Sequence, residues 1–236
     1  MLMEQDNDSW RRLSGSAGKM SPEELADLLL PAIRSRRTQP RDDLVSDLWR
    51  DGPSILEDWT ESTMLDQAKT LFPAGGHTTA NYLCNAIFLM LSDPALVATA
   101  RDEPARVGRL VEEALRLQGP IHIRVREARQ DVSLSSGLQV SQGQRVHPLL
   151  AAAGRDPERH ACPAHVDLDR DKPRHHMAFG LGPRLCVGAE LARAIGIEAL
   201  TALAQVPGIR LDPDASKPEL TGFLARSYRP VIAIAG

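Results

Sequence analysis

Apolar residues recur at helical spacing from the first part of the chain onward. Leu25, Leu28 and Leu29 share one helical face and follow Ser21–Glu24. That segment combines an N-cap serine, an early proline and two acidic residues, which are the usual signals of a helix start. The pattern therefore predicts a helix from this point, with Pro31 as a candidate break.

A longer helical pattern runs from about Met64 to Ser92 and has two adjacent glycines, Gly75 and Gly76, in its middle. Each glycine costs a helix about 1 kcal/mol relative to alanine, which suggests a compensating use. Glycines let a flat ligand approach the backbone, and Thr78 can bend the helix by bonding to the preceding turn. The alternative is a kink at Pro73 that serves packing alone.

Strand signals are fewer. Short alternating runs occur at Arg126–Asp131 and at Gly137–Val146, and the turn residues 141–143 predict a hairpin within the second run. Further helical patterns pass through Leu44–Leu48, after an acidic pair, and through Leu110–Leu117. The predicted fold class is mainly α with minor β.

Composition narrows the function classes. The chain has 236 residues and a formal net charge of −3, which argues against general nucleic-acid binding. Three cysteines without framework spacing indicate a reducing compartment, and we expect a cytoplasmic protein. The longest apolar run, Ala86–Leu91, is too short to cross a membrane. Residues 1–20 are polar and are predicted to be a flexible leader rather than a signal peptide, ahead of a single domain at residues 21–236.

The segment Phe179–Gly188 has the features of a cysteine ligand loop. Its glycines and proline favour a tight turn, and Cys186 falls where an apolar helical pattern begins. A thiolate near a helix N-terminus is stabilised and can bind a soft or borderline metal. The alternative is a buried structural cysteine in a glycine-rich turn.

This loop resembles the haem-binding signature of the cytochrome P450 family, Phe-Gly-x-Gly-x-Arg/His-x-Cys-x-Gly, with every specified position filled. The resemblance implies that Cys186 ligates the iron of haem b. It also implies that Arg184 and Arg126 contact the haem propionates. The remaining signature positions are Phe179, Gly180, Gly182 and Gly188.

Two further stretches match the same family. Residues 74–79 resemble the family's central-helix motif, which implies that Gly75 and Gly76 face the haem and that Thr78 is catalytic. His77 stands where the family has an acid, and an imidazole can also relay protons.

The pair Glu113 and Arg116, completed by Arg170, resembles the family's structural triad. The resemblance implies that these charges are buried together and brace the ligand loop. Taken by itself, a glutamate and an arginine three residues apart on an exposed helix would contribute only about 0.2–0.5 kcal/mol.

A zinc site is a competing interpretation of the segment before the loop. His160, Cys162, His165, His175 and His176 lie close together in the sequence. Zinc accepts such ligands, but no second paired half has the spacing of a finger or ribbon.

The resemblance extends from about Leu25 to the C-terminus and corresponds to the later part of the family fold. It implies a bacterial, soluble-type, N-terminally truncated member. The implied function is a monooxygenase that inserts one oxygen atom into a small apolar substrate, with electrons from a ferredoxin. Lys172, Arg174, His175 and Arg193 are candidates for the ferredoxin docking surface. The alternatives are a haem-binding remnant without turnover and a module completed by another chain.

Overall fold

The computed structural model of the protein describes residues 21–236, so the predicted leader lies outside the described residues. Two compact units are present, one ending at Thr78 and the other comprising Thr79–Gly236. The first unit contains helices α1 (Pro22–Thr38) and α2 (Leu44–Asp51), a 3₁₀ turn and the beginning of α3 (Glu61–Leu91).

Helix α1 starts at the predicted cap. The Ser21 hydroxyl accepts a hydrogen bond from the Glu24 N–H (3.1 Å), and the Glu24 carboxylate accepts one from the Ser21 N–H (2.7 Å). Pro31 lies inside an unbroken helix, so the candidate break is wrong. Leu29 and Ile33, on either side of the proline, are fully buried in the core of this unit, and this burial offsets the hydrogen bond that proline cannot make.

The second unit is built on the end of α3 and four further helices. They are α4 (Pro94–Asp102), α5 (Val107–Gln118), α6 (Leu150–Ala153) and α7 (Ala189–Ala204). Tyr82, Met90, Val111 and Leu200 lie in their common core. Burial of such side chains stabilises the unit by about 1.5–3 kcal/mol each.

Asn85, a fully buried residue of α3, connects this core to the chain near the C-terminus. Its amide nitrogen donates to the carbonyls of Gln118 (2.7 Å) and Arg226 (3.1 Å), and its amide oxygen accepts from the Tyr228 N–H (2.9 Å). The side chain thereby supplies hydrogen-bond partners to three partly buried backbone groups.

The described strands form four two-stranded antiparallel sheets, which confirms a mainly α fold with minor β. The strands pair as β1 (Arg126–Glu127) with β4 (Arg145–Val146), β2 (Val132–Ser133) with β3 (Gln139–Val140), β5 (Arg210–Leu211) with β8 (Ala233–Ile234), and β6 (Glu219–Gly222) with β7 (Arg226–Arg229).

The hairpin predicted around residues 141–143 is wrong. The turn exists, but the strands on either side of it, β3 and β4, pair with β2 and β1 instead of with each other. Gly143, with a φ of 81°, donates its N–H to the carbonyl of Ala128 (2.9 Å). The turn is therefore tied to the chain that follows β1, which places β4 beside β1.

Among residues 21–236, no single helix combines the length and the apolar composition of a membrane span. Helices α3 and α4 meet that test only as a pair, and the pair is bent by 102° at its break.

Gly196 should be intolerant of a side chain. A Cβ built on Gly196 would lie 2.0 Å from the Tyr82 hydroxyl oxygen and 2.8 Å from its Cζ. Because Tyr82 is buried and cannot swing away, we expect Gly196→Ala to lower the free energy of unfolding by about 1–3 kcal/mol. Chemical denaturation measures this change. Tyr82→Phe on the same background should restore part of the stability.

The control is Gly108→Ala in α5, where the nearest atom to a new Cβ is 3.7 Å away. That variant should be neutral or more stable by about 0.4–1 kcal/mol. Equal effects of the two alanine substitutions would contradict the close contact between α3 and α7.

Candidate functional site

The loop that precedes α7 is closed by its own backbone. The Phe179 carbonyl accepts a hydrogen bond from the Cys186 N–H (3.0 Å), and residues 182–184 form a 3₁₀ turn. Gly180 and Gly182 have φ values of 72° and 69°, which lie in the left-handed region that favours glycine. The sequence thus fixes a tight loop whose last residues lead directly into a helix.

The thiol of this loop faces open space. Cys186 is exposed, which makes the alternative of a buried structural cysteine wrong. A Cβ built on Gly182 would meet no atom within 4 Å, and one on Gly188 would meet only the Cys186 sulfur at 4.0 Å. Leu185 and Val187, on either side of the cysteine, are 55% and 90% exposed. A soft donor within an open apolar surface fits a flat, iron-containing macrocycle such as haem.

Two arginines assigned to the haem propionates are also exposed. Arg126 lies on β1 and its guanidinium donates to the Val125 carbonyl (3.0 Å), whereas Arg184 ends the 3₁₀ turn of the loop. Neither forms an ion pair with another described residue. Both guanidinium groups are therefore available for charge-assisted hydrogen bonds to carboxylates.

The central-helix residues belong to the first unit. Gly75 and Gly76 are exposed, and a Cβ on either would meet no atom within 4 Å. The Thr78 hydroxyl donates to the Ala74 carbonyl (2.5 Å), the back-bonding that the sequence suggested. His77 is exposed, and α3 continues through Pro73 without interruption. The segment offers an open backbone surface and a hydroxyl with a fixed orientation.

The structure brings the three predicted structural charges together. Arg116 donates from Nε and Nη2 to the two carboxylate oxygens of Glu113, both at 2.7 Å, and Arg170 donates from Nε to Glu113 at 3.0 Å. The Glu113 and Arg116 side chains are 1% and 0% exposed. The family resemblance implied that these charges are buried together, and the structure places them so. Removing one partner of such a buried pair is far more costly than breaking a pair on an exposed helix.

The remaining polar atoms of this triad are also satisfied. Arg116 donates to the carbonyls of Gly154, Pro163 and His165 at 2.7–2.9 Å. Burial alone would raise the pKa of Glu113, but hydrogen bonds from Arg116 and Arg170 and from a backbone N–H outweigh it, and that pKa lies below its ordinary value. The triad therefore fastens α5 to the chain that leads to the ligand loop.

A second buried cluster was missed by sequence reasoning. Glu112 accepts a hydrogen bond from Arg193 Nε (2.7 Å), and its other oxygen lies 2.9 Å from His176 Nε2. Burial would raise the pKa of Glu112, but the hydrogen bonds from these two partners lower it further than burial raises it. One signal in the sequence could have found this cluster: Glu112 stands next to Glu113, and the two glutamates are flanked by the apolar residues Val111 and Ala114.

This cluster corrects the predicted docking surface. The Arg193 side chain is only 11% exposed and is paired with Glu112 and Glu190, so it is not a free surface cation. It does contribute to the lining of a cavity of about 540 Å³. Three other basic residues of the prediction share that lining, namely Lys172, Arg174 and His175.

The zinc interpretation finds no support in the described part of the chain. No group of three histidine, cysteine or acidic side chains there could hold a metal ion. His176, one of the proposed ligands, is bonded to Glu112. Within residues 21–236, the ligand loop carries the remaining case for a metal centre.

The haem iron of cytochromes P450 is held by a cysteine thiolate, and this mainly helical fold presents an exposed cysteine just before a helix. The Cytochrome P450 family model matches residues 22–205. The chain therefore belongs to the cytochrome P450 family, as the loop signature predicted.

Several relatives and solved structures are similar to this chain. The biotin biosynthesis cytochrome P450 of Bacillus subtilis (strain 168) is 33% identical over 203 residues, which is 84% of this chain and 50% of that protein. The cytochrome P450 monooxygenase PikC of Streptomyces venezuelae is 34% identical over 192 residues, covering 80% and 45% of the two chains. The chain thus spans about half the length of the curated relatives it matches.

A solved complex of P450BioI with a hexadec-9Z-enoic acid-ligated acyl carrier protein has a similar fold. Its TM-score is 0.84 at 25% sequence identity, over 100% of this chain and 64% of that one. The partial coverage of the solved chain agrees with the prediction that this sequence corresponds to part of the family fold.

Proposed function

We propose that the protein is a haem-thiolate monooxygenase that inserts one oxygen atom from dioxygen into a small apolar substrate. The exposed Cys186 thiol within its open glycine loop is the observation that carries the proposal. Haem b, when bound, supplies dioxygen activation, and a thiolate ligand favours O–O cleavage by donating electron density. Arg126 and Arg184 would bind the propionates.

Thr78 has the role of holding a proton in the proposed reaction. Its hydroxyl is oriented by the hydrogen bond to Ala74, and a hydroxyl both donates and accepts. His77, the neighbouring exposed residue, supplies protons from solvent to Thr78 Oγ1. Because His77 stands where the family has an acid, we expect proton delivery to Thr78 to limit the share of electrons that ends in product.

A ferredoxin is the proposed electron donor. Lys172, Arg174 and His175 line the cavity of about 540 Å³. The Arg174 side chain is 63% exposed and is paired with Glu190 (3.3 Å) and Glu112 (3.4 Å). Such a basic surface suits an acidic carrier, and attraction between opposite charges speeds the encounter. The described cysteines are all free thiols, which supports the proposal that the protein functions in a reducing compartment such as the cytoplasm.

Residues 21–236 are proposed to act as one haem domain, since the family match at residues 22–205 extends across both compact units. The second candidate is a haem-binding protein without turnover of its own, or a module completed by another chain. This second candidate is supported by the length of the matched region, because the chain covers only 45–50% of the two curated relatives described above. Product formation by the purified chain separates the two.

Thr78→Ala should lower the product formed per electron pair consumed by about 100-fold, the lower end of the contribution that one positioned proton donor makes to catalysis. His77→Asp should raise the same ratio. Both are measured with a surrogate ferredoxin system, by counting NADH consumed against hydroxylated product. Hydrogen peroxide should account for the missing electrons.

Thr70→Ala is the matched control, because Thr70 makes the same back-bond, to the Asp66 carbonyl at 2.9 Å, on the same helix outside the motif. Its coupling should equal that of the parent. Unchanged coupling in all three variants would remove His77 and Thr78 from the reaction.

A further inference from the structure

The cluster around Glu112 reaches the ligand loop through two routes. In the first, His176 lies between α5 and the loop, with a side chain that is 1% exposed. Its Nδ1 accepts a hydrogen bond from the Ala178 N–H (3.2 Å), so the neutral ring carries its proton on Nε2. That proton is donated to Glu112, which fixes both the tautomer and the orientation of the ring.

The second route passes through Arg193 on α7. The guanidinium lies over the Phe179 ring, 4.7 Å from the ring centroid, while its Nε donates to Glu112. Such stacking of a cation on an aromatic face is attractive and restrains the ring. The His176 ring also lies near Phe179, with 6.1 Å between centroids. Phe179 is therefore held on two sides by charged or polar groups that share one carboxylate.

Phe179 is in turn bonded to the cysteine. Its carbonyl accepts from the Cys186 N–H at 3.0 Å. An unbroken series of contacts thus runs from Glu112 through Arg193 and Phe179 to the backbone of the thiol residue. The triad at Glu113 lacks this connection, since its partners are Arg116, Arg170 and backbone groups at 154–167.

We propose that Glu112, His176 and Arg193 are positioning residues that hold the loop from Ala178 to Cys186 and thereby keep the Cys186 sulfur in position to ligate the haem iron. The proposal rests on the proposed function for its haem readout. Loosening this cluster should let the loop move and let the sulfur leave its ligating position. The supporting groups act through Phe179 and do not touch the sulfur.

The test uses Arg193→Lys and His176→Phe. Arg193→Lys keeps the charge beside Glu112 but loses the planar stack on Phe179, whereas His176→Phe keeps the ring shape and loses both hydrogen bonds. In the haem-reconstituted, carbon-monoxide-bound ferrous protein, the thiolate-type Soret band should be lost about 10- to 100-fold faster in His176→Phe, as loss of a charge-assisted hydrogen bond implies. In Arg193→Lys it should be lost about 2- to 30-fold faster, as loss of the stacking contact implies. His176→Gln, which retains a donor for Glu112, should rescue part of this loss.

The haem-free protein supplies a second readout. Amide hydrogen exchange at residues 178–186 should rise about tenfold in Arg193→Lys, because the Cys186 N–H bond opens more often. Exchange in α4 should stay at the parent rate. This measurement holds even if haem binds in another way, so it distinguishes failure of this inference from failure of the proposed function.

Arg106→Gln is the control, since it breaks an ion pair with Asp169 (2.8 Å) in the same unit but away from the loop. It should leave both readouts at parent values. Variants that melt lower yet keep the parent rate of Soret-band loss and the parent loop exchange would overturn the proposal and make the cluster purely structural. Failure of His176→Phe to fold leaves Arg193→Lys to decide between the two results.

Discussion

Replacement of Arg116 by methionine should lower the free energy of unfolding by about 3–5 kcal/mol, the range seen when one partner of a buried ion pair is removed. The fully buried Glu113 would retain only Arg170 and a backbone N–H as donors. The carbonyls of Gly154, Pro163 and His165 would also lose their partner. Denaturant unfolding monitored by circular dichroism measures the change.

The control is Arg34→Met, which breaks an ion pair with Glu61. The Arg34 side chain is 62% exposed and the Glu61 side chain is 36% exposed. Exposed pairs contribute about 0–1 kcal/mol, so this variant should stay close to the parent. Comparable losses in Arg34→Met and Arg116→Met would contradict the difference in burial.

The lowered pKa of Glu113 determines how the stability of the folded protein changes with pH. The pKa of Glu113 lies below its reference value of 4.5 in the folded protein. Its contribution to stability is therefore complete above that reference value and is lost as the pH falls through the folded-state pKa. Arg116→Met, which removes the main cause of the lowered pKa, should unfold with a weaker dependence on acid than the parent.

The second large effect is expected at the ligand. Cys186→Ala should abolish thiolate ligation completely, because no other described cysteine belongs to the loop. The haem-free variant should unfold within about 0.5 kcal/mol of the parent, since an exposed side chain contributes little to packing. Haem titration followed by reduction under carbon monoxide measures ligation, and thermal melting measures the fold.

Cys162→Ala serves as the control, because Cys162 is also exposed but lies outside the loop. That variant should keep the thiolate spectrum of the parent. If the thiolate spectrum were lost in Cys162→Ala and retained in Cys186→Ala, the ligand would be Cys162, and the assignment of Cys186 would be wrong.

Local signals in the sequence were sufficient for five of the described α-helices, α1, α2, α3, α5 and α7, and for the loop, whereas α4 and α6 were not predicted. The cap at Ser21 and the glycines of the loop act over a few residues, and their φ angles and hydrogen bonds follow from residue type alone. Thr78 bonds to Ala74 within one helical turn. Each of these features is specified by neighbours in the chain, which is why sequence reasoning reached them.

Pairs of strands and of charges that lie far apart in the sequence could not be predicted from local signals. Strand β4 pairs with β1 across nearly twenty residues, and two-residue strands carry too little alternation to fix a partner. Arg193 looked like a surface cation, but its partner Glu112 lies 81 positions earlier in the chain. Sequence distance hides such a pair, because a buried charge is recognisable only when the opposite charge is seen beside it.

The most direct test of the account is the ferrous carbon monoxide spectrum of the parent protein after reconstitution with haem. Cys186 as a thiolate ligand predicts a strongly red-shifted Soret band that is absent from Cys186→Ala. A spectrum typical of histidine ligation in the parent, or the same red-shifted band in Cys186→Ala, would contradict it.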